Sequence, residues 1–280
     1  MLARADAVDL AQHLERGSVD LAYLDPPFAV GTAFGARLGG RARANGPVAY
    51  VDRWPSLDVY LDWLEARVRV VHALLSDEGS MWLHLDHRAV HDAKVRCDGV
   101  FGREHFAAEI VWVPGNGSKS RNAPGTTHQT ILVYAKGERM IWNARDPMLR
   151  EPHAATSQSM HFKRADARGR RYRDRTIGKK TYRYYADEGR AIGSVWSDCP
   201  SMVANTPLRK ETTGYPTQKP ERLLERIVRG ASRKGSLVLD PFCGSGTTLV
   251  VARRLERRFF GCDSSPLAIE TARARLGLHP

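Results

Sequence analysis

The chain has 280 residues, of which 42% are hydrophobic and 26% are charged, so it can form one large domain with a buried core. Its 43 Lys and Arg residues outnumber its 31 Asp and Glu residues, and the net charge of +12 favours a polyanionic partner such as nucleic acid. No apolar run reaches the roughly 20 residues of a membrane span, and charges interrupt segment 1–10 where a signal peptide would be apolar. We therefore expect a cytoplasmic protein with no membrane partner.

The cysteines give no sign of a disulfide framework or a zinc site. They are scattered along the chain without a Cys-x-x-Cys pair, at Cys97, Cys199, Cys243 and Cys262. We expect them to be small, reduced and mostly buried residues.

The N-terminal segment predicts a strand, a short helix and a second strand. Apolar residues on one side predict a helix over Ala7–Glu15, and Asp6 lies where an earlier strand would end. The apolar run Leu21–Leu24 predicts a buried strand. Four residues of unusual character follow it at once, namely Asp25, Pro26, Pro27 and Phe28.

These four residues suit the binding of a planar aromatic amine. The two prolines fix the backbone on an extended path that leaves carbonyl groups able to accept hydrogen bonds. Asp25 offers carboxylate oxygens, the Pro26 carbonyl is a further acceptor, and Phe28 offers a flat apolar face. A nucleobase with an exocyclic amino group fits this description. A strand that ends in a proline turn with a surface Asp would carry the same residues, so the motif alone leaves both interpretations open.

The next region combines a loop, a helix and a strand. Segment 29–53 is rich in Gly, Ala and Arg and lacks periodicity, which predicts a long loop that is either a mobile lid or without function. Apolar spacing predicts a helix over 57–75 that Gly79 stops, followed by a buried strand over 80–85. A metal could be bound near this strand by His84, Asp86, His87 and His91. No further ligands accompany these residues, so we predict no metal site there.

The middle of the chain predicts a DNA-binding insert. Strands are predicted over 109–113 and 130–134. The loop 114–128 between them either follows a phosphate backbone, with Lys119 and Arg121 as its contacts, or is a solvated hairpin end. Segment 161–184 holds ten cations, two carboxylates and interleaved aromatic residues, as a nucleic-acid surface requires, although a charge run can also be a solvated face. Within an insert over 143–200, the candidate DNA-binding residues are Lys163, Arg164, Arg168, Arg170, Arg171, Arg173, Arg175, Lys179 and Lys180.

The C-terminal part predicts a nucleoside-binding unit. Pro220 introduces a helix, and segment 236–240 then predicts a buried strand that leads through Gly244 and Gly246 into another helix. A strand over 259–263 ends in Asp263, where a carboxylate can accept ribose hydroxyls. No Lys follows Gly246, so the turn is not a P-loop.

Taken in order, these motifs resemble the AdoMet-dependent DNA amino-methyltransferases that act on adenine N6 or cytosine N4. Asp25–Phe28 resembles their catalytic motif, and Asp240–Thr248 resembles their S-adenosylmethionine (AdoMet) motif. The catalytic motif precedes the basic insert and the cofactor motif, as in the circularly permuted β group. Gly79–Asp86 and Tyr215–Pro220 are similar to two further motifs of that group.

The resemblance implies a fold and a division of the chain. The fold class would be α/β, a Rossmann-like AdoMet-dependent methyltransferase fold with a mostly parallel twisted sheet, helices on both faces and circular permutation. Residues 1–142 would form the catalytic half, residues 143–200 a small basic target-recognition insert, and residues 201–280 the AdoMet-binding half.

The resemblance also implies residue roles. Asp25 and the Pro26 carbonyl would hold the target amino group, next to Pro27, and Phe28 would stack on a flipped base. Asp263 would bind the cofactor ribose, Asp6 and Ala7 its adenine, and residues 217–219 its amino-acid end. The full cofactor set would be Asp6, Ala7, Asp25, Thr217, Gln218, Lys219, Asp240, Phe242, Gly244, Gly246, Thr247, Thr248 and Asp263.

The implied activity is methylation of adenine N6 in double-stranded DNA, because Asp at position 25 is commoner in the adenine enzymes of this family. Cytosine-N4 methylation is the alternative, since those enzymes more often carry Ser there. A DNA-binding regulator with a degenerate fold is a third alternative, which the intact acidic and glycine residues disfavour. This chain departs from the family pattern at two positions. Tyr215 stands where the family frequently has His, and Phe28 stands where Tyr is commoner. Homodimers are common in the family, and both a homodimer and a cognate restriction endonuclease stay open here.

Overall fold

The computed structural model describes residues 1–36, 47–115, 117, 120–202 and 211–278. Lys119 lies outside these residues. The chain divides into two compact units, Met1–Trp142 with Ser194–Pro280 and Asn143–Gly193. The second unit is shorter than the predicted insert, because Val195–Trp196 forms a strand of the main sheet in the first unit.

The elements are numbered in chain order. The strands are β1 Leu2–Arg4, β2 Val19–Leu24, β3 Thr32–Gly35, β4 Val48–Asp52, β5 Leu75–Leu85, β6 Phe106–Trp112, β7 Gln129–Ala135, β8 Arg150–Glu151, β9 Arg164–Ala165, β10 Arg171–Ile177, β11 Lys180–Tyr185, β12 Arg190–Ala191, β13 Val195–Trp196, β14 Leu237–Asp240 and β15 Arg258–Asp263. The α-helices are α1 Leu57–Leu74, α2 Val90–Phe101, α3 Ala155–His161, α4 Glu221–Ala231, α5 Thr247–Arg254 and α6 Pro266–Arg275. None of the described helices is both long enough and apolar enough to cross a membrane.

An eight-stranded sheet with the order β1-β15-β14-β2-β5-β7-β6-β13 forms the centre of the first unit. Only β7 runs antiparallel to its neighbours, and the inner strands β2 and β14 are nearly continuous apolar runs, as sheets covered on both faces require. From β14 the chain continues through α5 to β15 on one side, and from β2 through α1 to β5 on the other. The topological switch point therefore lies between β14 and β2, where α/β sheets bind ligands beyond the carboxyl ends of their strands.

Helix α1 covers the sheet as its apolar spacing predicts, but Gly79 does not end it. The Ser56 side chain caps its start by accepting a hydrogen bond from the Val59 amide, and the helix ends at Leu74 because Leu75 already pairs with Val19 of β2. Gly79 lies inside β5, where a Cβ atom would stand 2.7 Å from the Val19 carbonyl oxygen. Close strand pairing, rather than helix termination, requires glycine at that position.

Two other local predictions also need correction. The segment 29–53 is not loop throughout, because β3 and β4 form an antiparallel hairpin there, although residues 37–46 lie outside the described residues. The predicted helix over Ala7–Glu15 is a shorter 3₁₀ helix, Ala7–Gln12, and the Asp6 carboxylate caps it by accepting a hydrogen bond from the Val8 amide.

The second unit is built on the three-stranded antiparallel sheet β11-β10-β9, and β8 pairs with β12. Its small core holds the fully buried Phe162, whose ring lies 4.6 Å from the ring of His153. Much of the surface of β10 and β11 is exposed.

Candidate active site

Four neighbouring strands deliver carboxylates to one cleft. Asp240 and Asp263 are the last residues of β14 and β15, Asp25 directly follows β2, and Asp6 follows β1 by two residues. Of the predicted catalytic and cofactor residues, the structure brings together all but one around this cleft: Asp6, Ala7, Asp25, Pro26, Pro27, Phe28, Thr217, Gln218, Lys219, Asp240, Phe242, Gly244, Thr247, Thr248 and Asp263.

Gly246 is the predicted cofactor residue that does not line the cleft. It has a φ of +76° at the N-cap of α5, and a Cβ atom there would lie 2.8 Å from the Ala272 Cβ. Glycine is therefore required for the turn and for the close approach of α6.

The buried carboxylate of Asp52 holds the Asp25–Phe28 loop in place. It accepts hydrogen bonds of 3.0 Å from each of three successive amides and one of 2.8 Å from the Trp54 indole; the amides belong to Phe28, Ala29 and Val30. The side chain is fully buried, so these four charge-assisted bonds replace its hydration. They also support Ala29 in the left-handed region at a φ of 57°.

A further hydrogen bond separates the roles of the two proline carbonyls. The Tyr60 hydroxyl donates to the Pro27 carbonyl at 2.7 Å, whereas no hydrogen bond to the Pro26 carbonyl is found among the described residues. The Pro26 carbonyl, which lines the cleft, is therefore available to accept a hydrogen bond from a ligand. Asp52 and Tyr60 were not predicted as site residues, because one lies in a segment without periodicity and the other on an amphipathic helix, and neither pattern signals a partner.

Asp25 forms a buried ion pair with Lys219. The Lys219 ammonium lies 2.7 Å and 2.6 Å from the two Asp25 oxygens. The Asp25 side chain is only 18% exposed and the Lys219 side chain only 8%. Burial raises the pKa of Asp25, and the adjacent ammonium acts in the opposite direction. Lys219 was expected at the amino-acid end of a cofactor, but its ammonium is committed to Asp25 and lies 5.1 Å from the centre of the Phe28 ring.

The cleft carries an excess of buried negative charge that favours a cationic ligand. Burial, together with the charges of Asp25 and Asp263, raises the pKa of Asp240 to about 7, although hydrogen bonds from Thr248 and the Phe242 amide act in the opposite direction. Burial also raises the pKa of Asp263. A cation between these groups would relieve their mutual repulsion, and a sulfonium ion meets that requirement.

A nucleoside also fits the other end of the cleft. The rings of Trp63 and Phe242 lie 5.7 Å apart, and the Arg67 guanidinium covers the Trp63 ring at 4.0 Å, which provides flat faces for a base. Asp263 accepts hydrogen bonds from the Gly244 and Ser265 amides, both at 2.9 Å, and each carboxylate oxygen keeps lone pairs for a hydroxyl group. The donor and acceptor set thus fits AdoMet.

The Asp6 carboxylate is less available for the adenine than the sequence suggested. One of its oxygens accepts a hydrogen bond from the Val8 amide and the other is paired with Arg67 at 2.5 Å. Trp63 and Arg67 were missed as site residues because their helix was read only as a cover for the sheet.

The raised pKa of Asp240 predicts how stability depends on pH. An Asp in an unfolded chain titrates near 3.9, so the folded state keeps a proton that the unfolded state loses as the pH rises from about 4 to 7. This residue should lower the free energy of unfolding by about 2 to 3 kcal/mol between pH 5 and pH 8. We expect urea denaturation of ligand-free protein to show that the free energy of unfolding of Asp240→Asn, relative to that of the wild type, increases from pH 5 to pH 8. An equal difference at both pH values would contradict the assignment.

The predicted DNA-binding residues of the second unit differ in their surroundings. Arg164 is paired with Asp174, Arg170 with Asp187 and Glu188, and Arg171 donates to the carbonyls of Phe162 and Gln158. Arg173 lies 5.2 Å from the Phe162 ring. Among the described residues no ion pair is found for five exposed cations, namely Lys163, Arg168, Arg175, Lys179 and Lys180. In the first unit, Arg121 is exposed.

The cysteines are free and buried, as predicted. His84, weighed as a metal ligand, lies in the core and shares a 2.7 Å hydrogen bond with the Tyr23 hydroxyl. No group of three or more potential metal ligands is found among the described residues.

Comparison with known proteins places this arrangement in a family. A model described as DNA methylase, for the N6/N4 methyltransferases, matches residues 19–274. The chain belongs to this family. The prediction of a DNA methyltransferase is thereby confirmed at the level of the family, and the match includes both the Asp25–Phe28 loop and the strand–glycine–helix segment at Asp240–Thr248.

Individual relatives agree with this assignment. The type II methyltransferase M.EcaI of Enterobacter cloacae is 28% identical over 95% of this chain, and the aligned region spans 66% of its own length. The DNA adenine methyltransferase YhdJ of Escherichia coli is 26% identical over 98% of the chain and 82% of its own length. The solved structure of the PvuII DNA methyltransferase, which is cytosine-N4-specific, matches this chain with a TM-score of 0.64 and 16% identity. The match covers 98% of this chain and 85% of the PvuII chain. The predicted Rossmann-like methyltransferase fold is therefore confirmed.

Proposed function

We propose that this protein transfers a methyl group from AdoMet to the N6 amino group of adenine in double-stranded DNA. The observation that carries the proposal is the cleft at the switch point, where the acceptors Asp25 and Pro26 lie beside the buried carboxylates of Asp240 and Asp263. One end of the cleft thus suits a neutral aromatic amine and the other a cationic nucleoside. The reaction would move one methyl group between these two ligands: an N–CH3 bond forms on the amine as the S–CH3 bond of AdoMet breaks, and S-adenosylhomocysteine leaves.

The loop residues prepare the amine for attack. The lone pair of an exocyclic amine is conjugated with its ring, and its pKa is far too high for Asp25 to deprotonate it beforehand. Hydrogen bonds from the NH2 group to the Asp25 carboxylate and the Pro26 carbonyl favour a tetrahedral nitrogen with a localised lone pair. The proton leaves during or after the transfer. AdoMet supplies an electrophilic methyl group when it is bound.

Lys219 favours the charged form of the acceptor within this buried site. Its ammonium contacts both Asp25 oxygens, and each of these oxygens has a second lone pair with which it accepts the NH2 hydrogens. Because burial alone raises the pKa of Asp25, this pairing favours the ionised carboxylate that the mechanism needs.

The substrate is duplex DNA with the target base flipped out. The amino group of a paired adenine is hidden in the helix, so the base must leave the stack to reach Asp25. Phe28 offers the stacking face, tilted over the His84 ring at 5.9 Å. The proposed phosphate contacts are the five exposed cations of the second unit for which no ion pair is found among the described residues, with Arg121 and Lys119 of the first unit.

Two considerations favour adenine over cytosine. Asp at position 25 resembles the adenine enzymes of the family, and YhdJ, a relative over 98% of the chain, is by name an adenine methyltransferase. The cytosine-specific PvuII structure shares the fold at 16% identity. Cytosine-N4 methylation is thus the second candidate, and a homodimer and a cognate endonuclease stay open.

The proposal is tested by the methylated nucleoside. Unmethylated genomic DNA is incubated with the protein and AdoMet, digested to nucleosides and analysed by mass spectrometry. We expect N6-methyladenine to form. N4-methylcytosine would support the second candidate instead, and the absence of both products would favour a regulator with a degenerate site.

A further inference from the structure

The β10–β11 hairpin of the second unit has two faces with very different charge balance. Because side chains alternate along a strand, Tyr172, Asp174 and Thr176 share one face with their register partners on β11, and Arg173, Arg175 and Ile177 share the other. We call the first the paired face and the second the open face. The open face also carries the partners on β11, which are Lys180, Tyr182 and Tyr184.

The paired face has few polar groups left to offer. Arg183 lies 2.9 Å from Asp174 and covers the Tyr172 ring at 3.8 Å. Arg164 of β9 lies 3.2 Å from the same carboxylate, and the hydroxyls of Thr176 and Thr181 are hydrogen-bonded to each other at 3.0 Å. The cations of this face are thereby committed within the unit.

The distal half of the open face has the opposite character. Arg175 and Lys180 are exposed, and neither forms an ion pair with another described residue. Ile177 and Tyr182 are 53% and 45% exposed, and the Tyr182 ring makes no ring or cation contact in the described part of the chain. The face therefore combines cations that have no ion pair among the described residues with exposed apolar surface. Water solvates the apolar surface poorly.

The shape of the hairpin suits a DNA groove. Ile177 and Lys180 are register partners, so a two-residue turn of Gly178 and Lys179 joins the strands, and Gly178 has the positive φ of +60° that such turns favour. The major groove of B-form DNA admits a two-stranded ribbon of this kind. The turn places one more exposed cation, Lys179, at the tip.

We infer that the distal open face, formed by Arg175, Ile177, Lys180 and Tyr182 with Lys179 at the tip, is the DNA-contacting ribbon of this protein. The paired face of the same hairpin, despite its arginines, does not contact DNA. Arg175 and the two lysines neutralise phosphates, while Tyr182 and Ile177 contact the groove. The inference deepens the proposed function and rests on it only in taking duplex DNA as the substrate.

The test compares equal charge losses on the two faces. Binding to a fluorescent mixed-sequence duplex is measured by anisotropy at several salt concentrations for the wild type, the open-face double variant Arg175→Gln with Lys180→Gln, and the paired-face double variant Arg164→Gln with Arg183→Gln. We expect the open-face variant to lose at least tenfold in affinity and about two units of salt slope. The paired-face variant should stay within about threefold of the wild type. Tyr182→Ala should weaken binding without changing the slope.

Different outcomes separate the two proposals. AdoMet affinity and thermal unfolding are measured for every variant. A paired-face variant that unfolds is replaced by Arg164→Gln alone, which leaves the Arg183–Asp174 pair intact and is compared with Lys180→Gln alone. Equal losses of DNA affinity from both faces, or a larger loss from the paired face, would overturn the inference that the open face contacts DNA. A wild type that binds no duplex would overturn the proposed function itself, whereas a wild type that binds and methylates DNA with unaffected open-face variants would overturn only this inference.

Discussion

Asp25→Asn is expected to lower kcat for DNA methylation by roughly 10²- to 10³-fold or more while AdoMet still binds. The amide is nearly the same size, and its oxygen can still accept a hydrogen bond from Lys219, so the fold should persist. It has no charge, however, and its NH2 group presents donors to the target amine, which is itself a donor. Single-turnover methyl transfer at saturating AdoMet measures the effect, with AdoMet affinity determined by calorimetry.

Asp263→Asn is the matched control for this substitution. It also removes the charge of a half-buried carboxylate at a strand end in the same cleft, but on the side assigned to the cofactor. We expect it to raise KM for AdoMet with a small change in kcat. If Asp25→Asn instead lost AdoMet affinity in proportion to kcat, Asp25 would be a cofactor ligand rather than an acceptor for the amine.

Asp52→Asn is expected to impair both stability and catalysis, although the residue belongs to no motif. Three amides and an indole donate to its carboxylate, and an NH2 group placed among these donors leaves part of them unsatisfied. We expect a loss of about 3 kcal/mol in the free energy of unfolding, or roughly 5 °C in Tm. The loop should also lose its geometry, which lowers kcat by roughly 10²-fold.

Trp54→Phe provides the comparison for Asp52. It removes one donor to the carboxylate, the Nε1 group at 2.8 Å, and keeps an aromatic ring near Tyr60 and Trp63. Thermal unfolding and methylation kinetics should show a much smaller loss than for Asp52→Asn. Comparable effects of the two substitutions would mean that the indole, and not the three amide bonds, holds the loop.

The sequence predicts the strands of the switch point well because they are local patterns. Apolar runs that end in Asp25, Asp240 and Asp263 identify buried parallel strands, and the order of the motifs identifies their arrangement. Since the carboxyl ends of neighbouring parallel strands meet at one edge, strand prediction was enough to bring most of the site together.

The missed features depend on contacts between distant residues. The Lys219–Asp25 ion pair joins positions 194 residues apart, and Asp52 binds a loop that precedes it by more than twenty residues. Pairing of Leu75 with Val19 ends α1 before Gly79, which no helical spacing could reveal. Counting charges in segment 161–184 likewise could not separate the cations committed to Asp174 from those that are unpaired.

The most direct test of adenine methylation through Asp25 is sequencing that detects modified bases in a host without DNA methylation of its own, after expression of the wild type or Asp25→Asn. We expect N6-methyladenine at one defined sequence motif with the wild type and no modified base above background with the variant. N4-methylcytosine in the wild-type sample, or equal N6-methyladenine in both samples, would contradict it.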